Sequence, residues 1–130
     1  IWRSPPAARC TWLTGMATGA PYCVADASHW VFEGTGLQDG DLFGKESLNM
    51  RCPGGASGHE TDKISEHSPP GIHLLAKGTN PNEGGAELVH FETPSGGQVF
   101  SVGSICYPAA IVIDEQISRI TANVLNRFLK

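Results

Sequence analysis

The sequence has little charge and no long apolar run. Charged residues make up 17% of its 130 residues, and the formal net charge is −4. A chain with this balance does not neutralise a phosphate backbone, so we expect no nucleic-acid partner. Its apolar runs are too short to cross a bilayer, so we expect no membrane partner either.

Close cysteine pairs are also absent. The four cysteines are Cys10, Cys23, Cys52 and Cys106, whereas structural zinc sites use close pairs such as C-x₂-C. A chain of this length with a normal core does not need disulfides. We therefore expect reduced cysteines, no zinc, and a location in the cytoplasm.

An initiator Met and a signal peptide are missing too. The sequence starts Ile1-Trp2-Arg3, without a basic segment or an apolar leader. A tryptophan at position 2 would normally be buried. We therefore expect residues 1–130 to form a single domain, or a domain fragment, that begins inside a larger folded unit.

Glycine and proline are plentiful, with 16 and 9 residues, and they divide the chain into short strands and turns. We predict strands at residues 11–14, 22–25, 29–32 and 72–76. Residues 38–70 show little periodicity, which is typical of a long functional or disordered loop.

The last third of the chain predicts a β-hairpin followed by a helix. Residues 88–92 and 98–102 are strand-like, and the turn between them contains Pro94, Gly96 and Gly97. Asp114 is a candidate N-cap. One apolar helical stripe follows, formed by Ile117, Ile120, Val124, Leu125 and Phe128. The expected class is α/β, with this helix packed on the hairpin.

A glycine-rich loop at residues 54–62 carries the densest polar cluster, with His59, Glu60 and Asp62. Imidazole and carboxylate groups can bind a metal or transfer protons. The alternative is a solvated loop in which Thr61 or Asp62 caps a helical turn. The spacing alone leaves both readings open.

His90 and Glu92 lie two residues apart on a predicted strand, so their side chains share a face. A histidine oriented by a carboxylate is half of a nucleophilic triad. Cys10 has no flanking glycines and Cys106 follows the histidine, so neither supplies the nucleophile expected in glutamine amidotransferases. An exposed polar face is the better interpretation on these residues alone.

Three further residues are interpreted as structural. The sequence around Ser104 reads G-S-x-C and does not match the nucleophile motif G-x-S-x-G. Ser104 is therefore expected to be a turn hydroxyl and not a nucleophile. His67 and His73 are isolated in the sequence and are expected to be structural or solvated.

Several stretches together resemble one family. Residues 91–105 (FETPSGGQVFSVGSI) and 117–128 (ISRITANVLNRF) are similar to the C-terminal end of the large subunit of N,N-dimethylformamidase. The shorter stretches 1–3 (IWR), 30–36 (WVFEGTG) and 54–62 (GGASGHETD) fall in the family's order.

The resemblance implies that the chain is the C-terminal part of a larger subunit with a glutamine-amidotransferase-like α/β fold, incomplete in this chain. It also implies hydrolysis of N-substituted formamides to formate and an amine. The family's mononuclear iron is held by two tyrosines and a glutamate, and hard oxygen ligands suit ferric iron. The remainder of the large subunit or a companion chain would be a partner, and we expect an oligomer.

Carried over to this sequence, the resemblance makes Glu60 the metal ligand. His59 and Glu92 become the catalytic histidine and acidic residue. The family's histidine two positions before the ligand glutamate corresponds to Gly58 here, and His59 is adjacent instead. The ligand tyrosines would lie upstream of Trp2.

Two functions follow. The chain is part of a metal-dependent amide hydrolase acting on small amides, and is inactive alone. Alternatively, it is a non-catalytic structural or subunit-interaction domain that retains the family fold.

Overall fold

The computed structural model describes residues 19–130. The strand predicted at residues 11–14 therefore lies outside the described part, as does Cys10. Within the described part, no helix is both long enough and apolar enough to cross a membrane.

Five short strands of the described chain form one antiparallel sheet in the spatial order β2-β1-β3-β4-β5. They are β1 (Tyr22–Val24), β2 (Leu42–Phe43), β3 (His73–Gly78), β4 (Glu87–Glu92) and β5 (Gln98–Ser101). Residues 19–130 also contain helix α1 (Glu115–Phe128) and two 3₁₀ helices, Trp30–Phe32 and Pro108–Ala110. The arrangement is α/β, as expected.

The predicted hairpin and the predicted start of the helix are both confirmed. Strands β4 and β5 pair with Glu92 opposite Gln98, and the amide of Thr93 donates to the Gly97 carbonyl across the turn at 2.7 Å. At the start of α1, the Asp114 carboxylate accepts hydrogen bonds from the amides of Ile117 at 2.9 Å and Gly44 at 3.0 Å. This N-cap fixes the helix to the end of β2.

The apolar face of α1 is narrower than its periodicity predicted. Ile117, Ile120 and Val124 are buried in the same core as Leu88, and each such side chain contributes about 1.5–3 kcal/mol. The expectation that Leu125 and Phe128 are buried is wrong, because their exposed fractions are 56% and 43%.

The element that α1 contacts most closely is the 3₁₀ helix Trp30–Phe32. Asn123 joins the two, because its amide group donates to the carbonyls of Val31 at 2.9 Å and Glu33 at 2.7 Å. The strand predicted at residues 29–32 is therefore wrong. His29 instead caps a helical turn, where its Nδ1 accepts from the Val31 amide.

The expectation of reduced cysteines is wrong for two of the four. Cys52 and Cys106 form a disulfide across 54 residues of sequence, with their Cα atoms 6.3 Å apart, whereas Cys23 is free. The segment before Cys52 is held against Cys106 because the Ser47 hydroxyl donates to the Cys106 carbonyl at 2.9 Å. This bond removes the cysteine argument for a reducing compartment.

Candidate functional site

The glycine-rich segment at residues 54–62 is held to the fold by backbone pairing at both of its ends. Ala20 and Ser57 exchange two hydrogen bonds, at 2.9 and 3.0 Å. At the other end, the amide of Asp62 donates to the Gly103 carbonyl at 2.8 Å. Gly55 passes so close to Ala20 that a side chain there would meet the Ala20 backbone. The segment is an anchored loop, not a mobile one.

The buried hydroxyl groups of Ser57 and Ser104 also hold this loop in place. The Ser57 hydroxyl donates to Asn80 Oδ1 at 2.7 Å and accepts from the Ala86 amide at 2.9 Å. Ser104 Oγ accepts from the Gly58 amide at 3.0 Å and donates to the Gly58 carbonyl at 3.1 Å. Ser104 is thus a turn hydroxyl, as expected from the sequence.

His59 occupies the left-handed backbone region, with φ of +67°. Such a conformation is costly for a residue other than glycine and often marks a functional position. Its ring is mostly buried, and Nε2 lies 3.1 Å from Arg51 Nη1. A guanidinium can only donate, so Nε2 is the acceptor in this contact. The sequence did not indicate this role for Arg51.

Glu60 follows His59 directly, and its side chain is exposed at the surface of the anchored loop. The structure therefore combines a fixed backbone with a carboxylate open to an incoming ligand. Among residues 19–130, no three His, Cys, Asp or Glu side chains are grouped so as to hold a metal ion.

The two described tyrosines do not fit the role of iron ligands. Burial raises the pKa of Tyr22 well above its usual value, and raises that of Tyr107 to about 12. The Tyr22 hydroxyl donates to the Val102 carbonyl at 2.6 Å, and the Tyr107 hydroxyl lies 3.1 Å from the Thr121 hydroxyl. Residues 19–130 therefore do not contain a complete set of two phenolates and a carboxylate.

Glu92 lies apart from the loop. The amide of Glu87, at the start of β4, donates to the Asp62 carbonyl at 3.0 Å, and Glu92 is at the exposed far end of that strand. Five residues of strand span roughly 17 Å. His90 Nε2 bonds Gln98 Oε1 at 2.9 Å, so the ring is oriented by an amide. His59 and Glu60 are neighbours in the sequence, with His59 buried and Glu60 exposed, whereas Glu92 lies at the far end of β4.

Three histidines, His29, His73 and His90, lie close together in the fold, and the sequence did not predict this group. The ring of His29 lies 5.1 Å from that of His73 and 5.0 Å from that of His90, between centroids. Asp26 Oδ2 is 2.7 Å from His73 Nε2, so His73, which is isolated in the sequence, has a partner in the fold. His67, by contrast, is exposed. Burial, followed by the charges of His90 and His73, lowers the pKa of His29 from 6.5 to about 4.

Comparison with known proteins supplies the family. A model described as N,N-dimethylformamidase beta subunit-like, C-terminal, matches residues 1–119. The N,N-dimethylformamidase beta subunit of Paracoccus aminophilus is 29% identical over 133 aligned residues, and that of an Alcaligenes species is 28% identical. Each alignment covers 78% of this chain and 16% of the relative, so the chain spans about a sixth of their length. The chain belongs to the N,N-dimethylformamidase beta subunit-like, C-terminal family.

Proposed function

We propose that this chain is the C-terminal part of a metal-dependent amide hydrolase that acts on N-substituted formamides or related small amides. The single observation that carries the proposal is the anchored loop that presents the exposed Glu60 beside His59 in a family member. Hydrolysis adds water across the C–N bond and releases formate and an amine, so it needs groups that move protons.

The roles of the residues follow from their surroundings. Glu60 is proposed as one carboxylate ligand of an iron whose remaining ligands lie outside residues 19–130. His59 is proposed as the neighbouring catalytic group, because the Arg51 contact fixes the orientation of its ring. Glu92 is proposed as a catalytic acidic residue on the resemblance alone. Because it lies far from the loop, Glu60 and His59 are the stronger candidates.

The assembly is also part of the proposal. The relatives are named as beta subunits, which supports a companion chain and an oligomer. We further propose that the described sheet forms part of a larger glutamine-amidotransferase-like fold. We also propose a cytoplasmic location for the protein, which cell fractionation tests.

The deciding experiment uses the complete subunit expressed with its companion chain. Iron content and amine release from N,N-dimethylformamide are measured for the wild type, Glu60→Gln and Glu92→Gln. Glu66→Gln is the matched control, because Glu66 is an exposed glutamate that pairs with the exposed His67. Glutamine keeps the size of the side chain but cannot supply a negative charge.

We expect Glu60→Gln to lose the iron and to lower the rate by about 100-fold or more, while Glu66→Gln stays at the wild-type rate. Full iron and full rate in Glu60→Gln would remove Glu60 from the site. A large loss in Glu92→Gln with unchanged iron would establish Glu92 as a catalytic residue acting away from the metal ligand.

The second candidate is a non-catalytic domain that docks against another part of the enzyme. Large apolar side chains that are exposed in the described chain favour it, since Leu48, Met50 and Val112 have exposed fractions of 62%, 93% and 74%. Under this alternative, Glu60→Gln would be silent. Replacement of Met50 by a charged residue would instead separate the subunits in a native mass measurement.

A further inference from the structure

A cavity of about 390 Å³ lies between α1 and the 3₁₀ helix Trp30–Phe32, away from the loop that carries Glu60. Its volume is within the range of small-ligand pockets. Arg119, Arg127 and Lys130 line it, and Glu33 is the only acidic residue among the lining side chains. The three cations and one carboxylate give the cavity a net positive charge.

The helix explains why these groups face one cavity. Arg119, Asn123 and Arg127 follow one another at intervals of four residues, so their side chains share one face of α1, and Lys130 lies two residues beyond the end of the helix. This face lies beside the buried stripe of Ile117, Ile120 and Val124. Asn123 fixes the opposite wall, because it bonds the carbonyls of Val31 and Glu33.

The two guanidinium groups are held at defined places. A side chain at Gly34 would lie 3.8–3.9 Å from Cδ, Nε and Cζ of Arg119, so the Arg119 side chain passes over this glycine. The Arg127 guanidinium carbon lies 5.3 Å from the centre of the Trp30 ring, a cation–π contact. Within residues 19–130, neither arginine forms an ion pair within 4.0 Å.

The helix dipole accounts for only part of this charge. Arg127 lies in the last turn of α1, where cations are favoured, and Lys130 follows just after the helix. Arg119 is the fifth residue of the helix, near the end where a cation gains nothing from the dipole. The dipole therefore does not account for the position of Arg119, whose charge adds to that of Arg127 in the lining of the cavity.

We propose that this cavity binds a small multivalent oxyanion, a dicarboxylate or a phosphate, between Arg119 and Arg127. Both ligands present several negatively charged oxygen atoms, which guanidinium groups bind through charge-assisted, often bidentate hydrogen bonds. The site is separate from the proposed amide hydrolysis, and it stands whether or not Glu60 binds a metal.

The test is NMR titration of the full 130-residue chain, labelled with ¹⁵N, at constant ionic strength. Malonate and inorganic phosphate are the two probes, and chloride is the control for general screening. We expect saturable shifts of the arginine Nε–H signals and of the Trp30 indole signal with at least one probe, and no saturation with chloride. The probe that binds more tightly identifies the ligand class.

Variants locate the site. Arg119→Gln and Arg127→Gln should each weaken binding about tenfold, because each removes a charge-assisted hydrogen bond. Arg119→Lys should recover only part of the loss, since lysine is not bidentate. Lys45→Gln removes a positive charge from an exposed residue outside the cavity and should leave the affinity within about twofold. Shifts that grow linearly with all three salts, or an equal loss in Lys45→Gln, would overturn the proposal.

Discussion

Replacement of Ser57 by alanine tests whether the loop that carries Glu60 is held by buried polar contacts. The Ser57 side chain is completely buried, and its hydroxyl both donates to Asn80 Oδ1 and accepts from the Ala86 amide. Alanine fills almost the same space, so the change removes two hydrogen bonds without opening a large cavity. Any loss of stability then measures the polar contacts.

The expected loss of stability follows from the hydrogen bonds that Ala86 and Asn80 lose in Ser57→Ala. Water does not reach the buried Ala86 amide, so removal of its acceptor costs about 1–3 kcal/mol. Loss of the bond to Asn80 Oδ1 adds about 1 kcal/mol, because the Asn80 amide group still donates to the Ser57 carbonyl and stays in place. We expect Ser57→Ala to lower the free energy of unfolding by about 2–4 kcal/mol.

Urea denaturation of the wild type and of two variants measures the effect. Ser28→Ala is the matched control, since the Ser28 hydroxyl also donates a hydrogen bond, to Asp26 Oδ1, but at an exposed position. We expect Ser28→Ala to change the free energy of unfolding by less than about 0.5 kcal/mol. Equal denaturant slopes would show that both variants unfold from comparable states.

The outcome also bears on the site. Amide hydrogen exchange at Gly58 should accelerate in Ser57→Ala, because one anchor of the loop is gone. If Ser57→Ala loses no more stability than Ser28→Ala and exchange is unchanged, the loop is not held by this network. Glu60 would then not be held in place by the Ser57 contacts.

Two further predictions concern stability. Cys52 and Cys106 should resist alkylation until the protein is reduced. Their joint replacement by alanine should cost about 4 kcal/mol in urea melts, the value for a loop of this size; labelling of both thiols without a reductant would contradict the bond. The pKa of about 4 for His29 means that the unfolded chain binds more protons below pH 6.5. Stability should therefore fall as the pH drops from 6.5 to 4. The shift corresponds to about 3 kcal/mol, which screening of this half-buried ring reduces to about 1 kcal/mol. In thermal melts, a His29→Gln variant with the same pH dependence as the wild type would exclude His29 as the cause.

The elements that the sequence predicted correctly are those whose signals are local. The β4–β5 hairpin is encoded by two strand-like runs and a turn containing Pro94 and Gly96. The start of α1 is encoded by Asp114 next to the apolar stripe. Periodicity predicted which face of α1 is apolar, but not where along the helix that face stops being buried. That point depends on how far the opposing core extends. Phe128 lies beyond that point.

The wrong predictions involve partners that are distant in the sequence. The run His29–Trp30–Val31–Phe32 has strand-like composition. The Asn123 amide group, from the far end of the chain, donates to the Val31 carbonyl in this run and to the Glu33 carbonyl just after it. The bond between Cys52 and Cys106 likewise depends on packing across 54 residues. No local pattern reports either contact.

The candidate site divides in the same way. His59 and Glu60 were predicted because they lie together in one glycine-rich segment, and they remain predictions. The histidine group depends on strand register, which places His73 directly opposite His90. Sequence patterns predicted two strands there, but not which residues face each other. Arg51 was missed because its contact with His59 depends on the path of an irregular loop.

The backbone at His59 gives a physical reason to look for chemistry at this loop. A left-handed conformation costs a residue with a side chain about 1 kcal/mol, whereas glycine adopts it freely. Glycine is common in this segment and occupies position 58, so a cheaper residue for the turn was readily available. The ring of His59 offsets part of this cost through its contact with Arg51. Its contact with Arg51 and its place beside the exposed Glu60 make proton transfer or ligand positioning the contribution to test first.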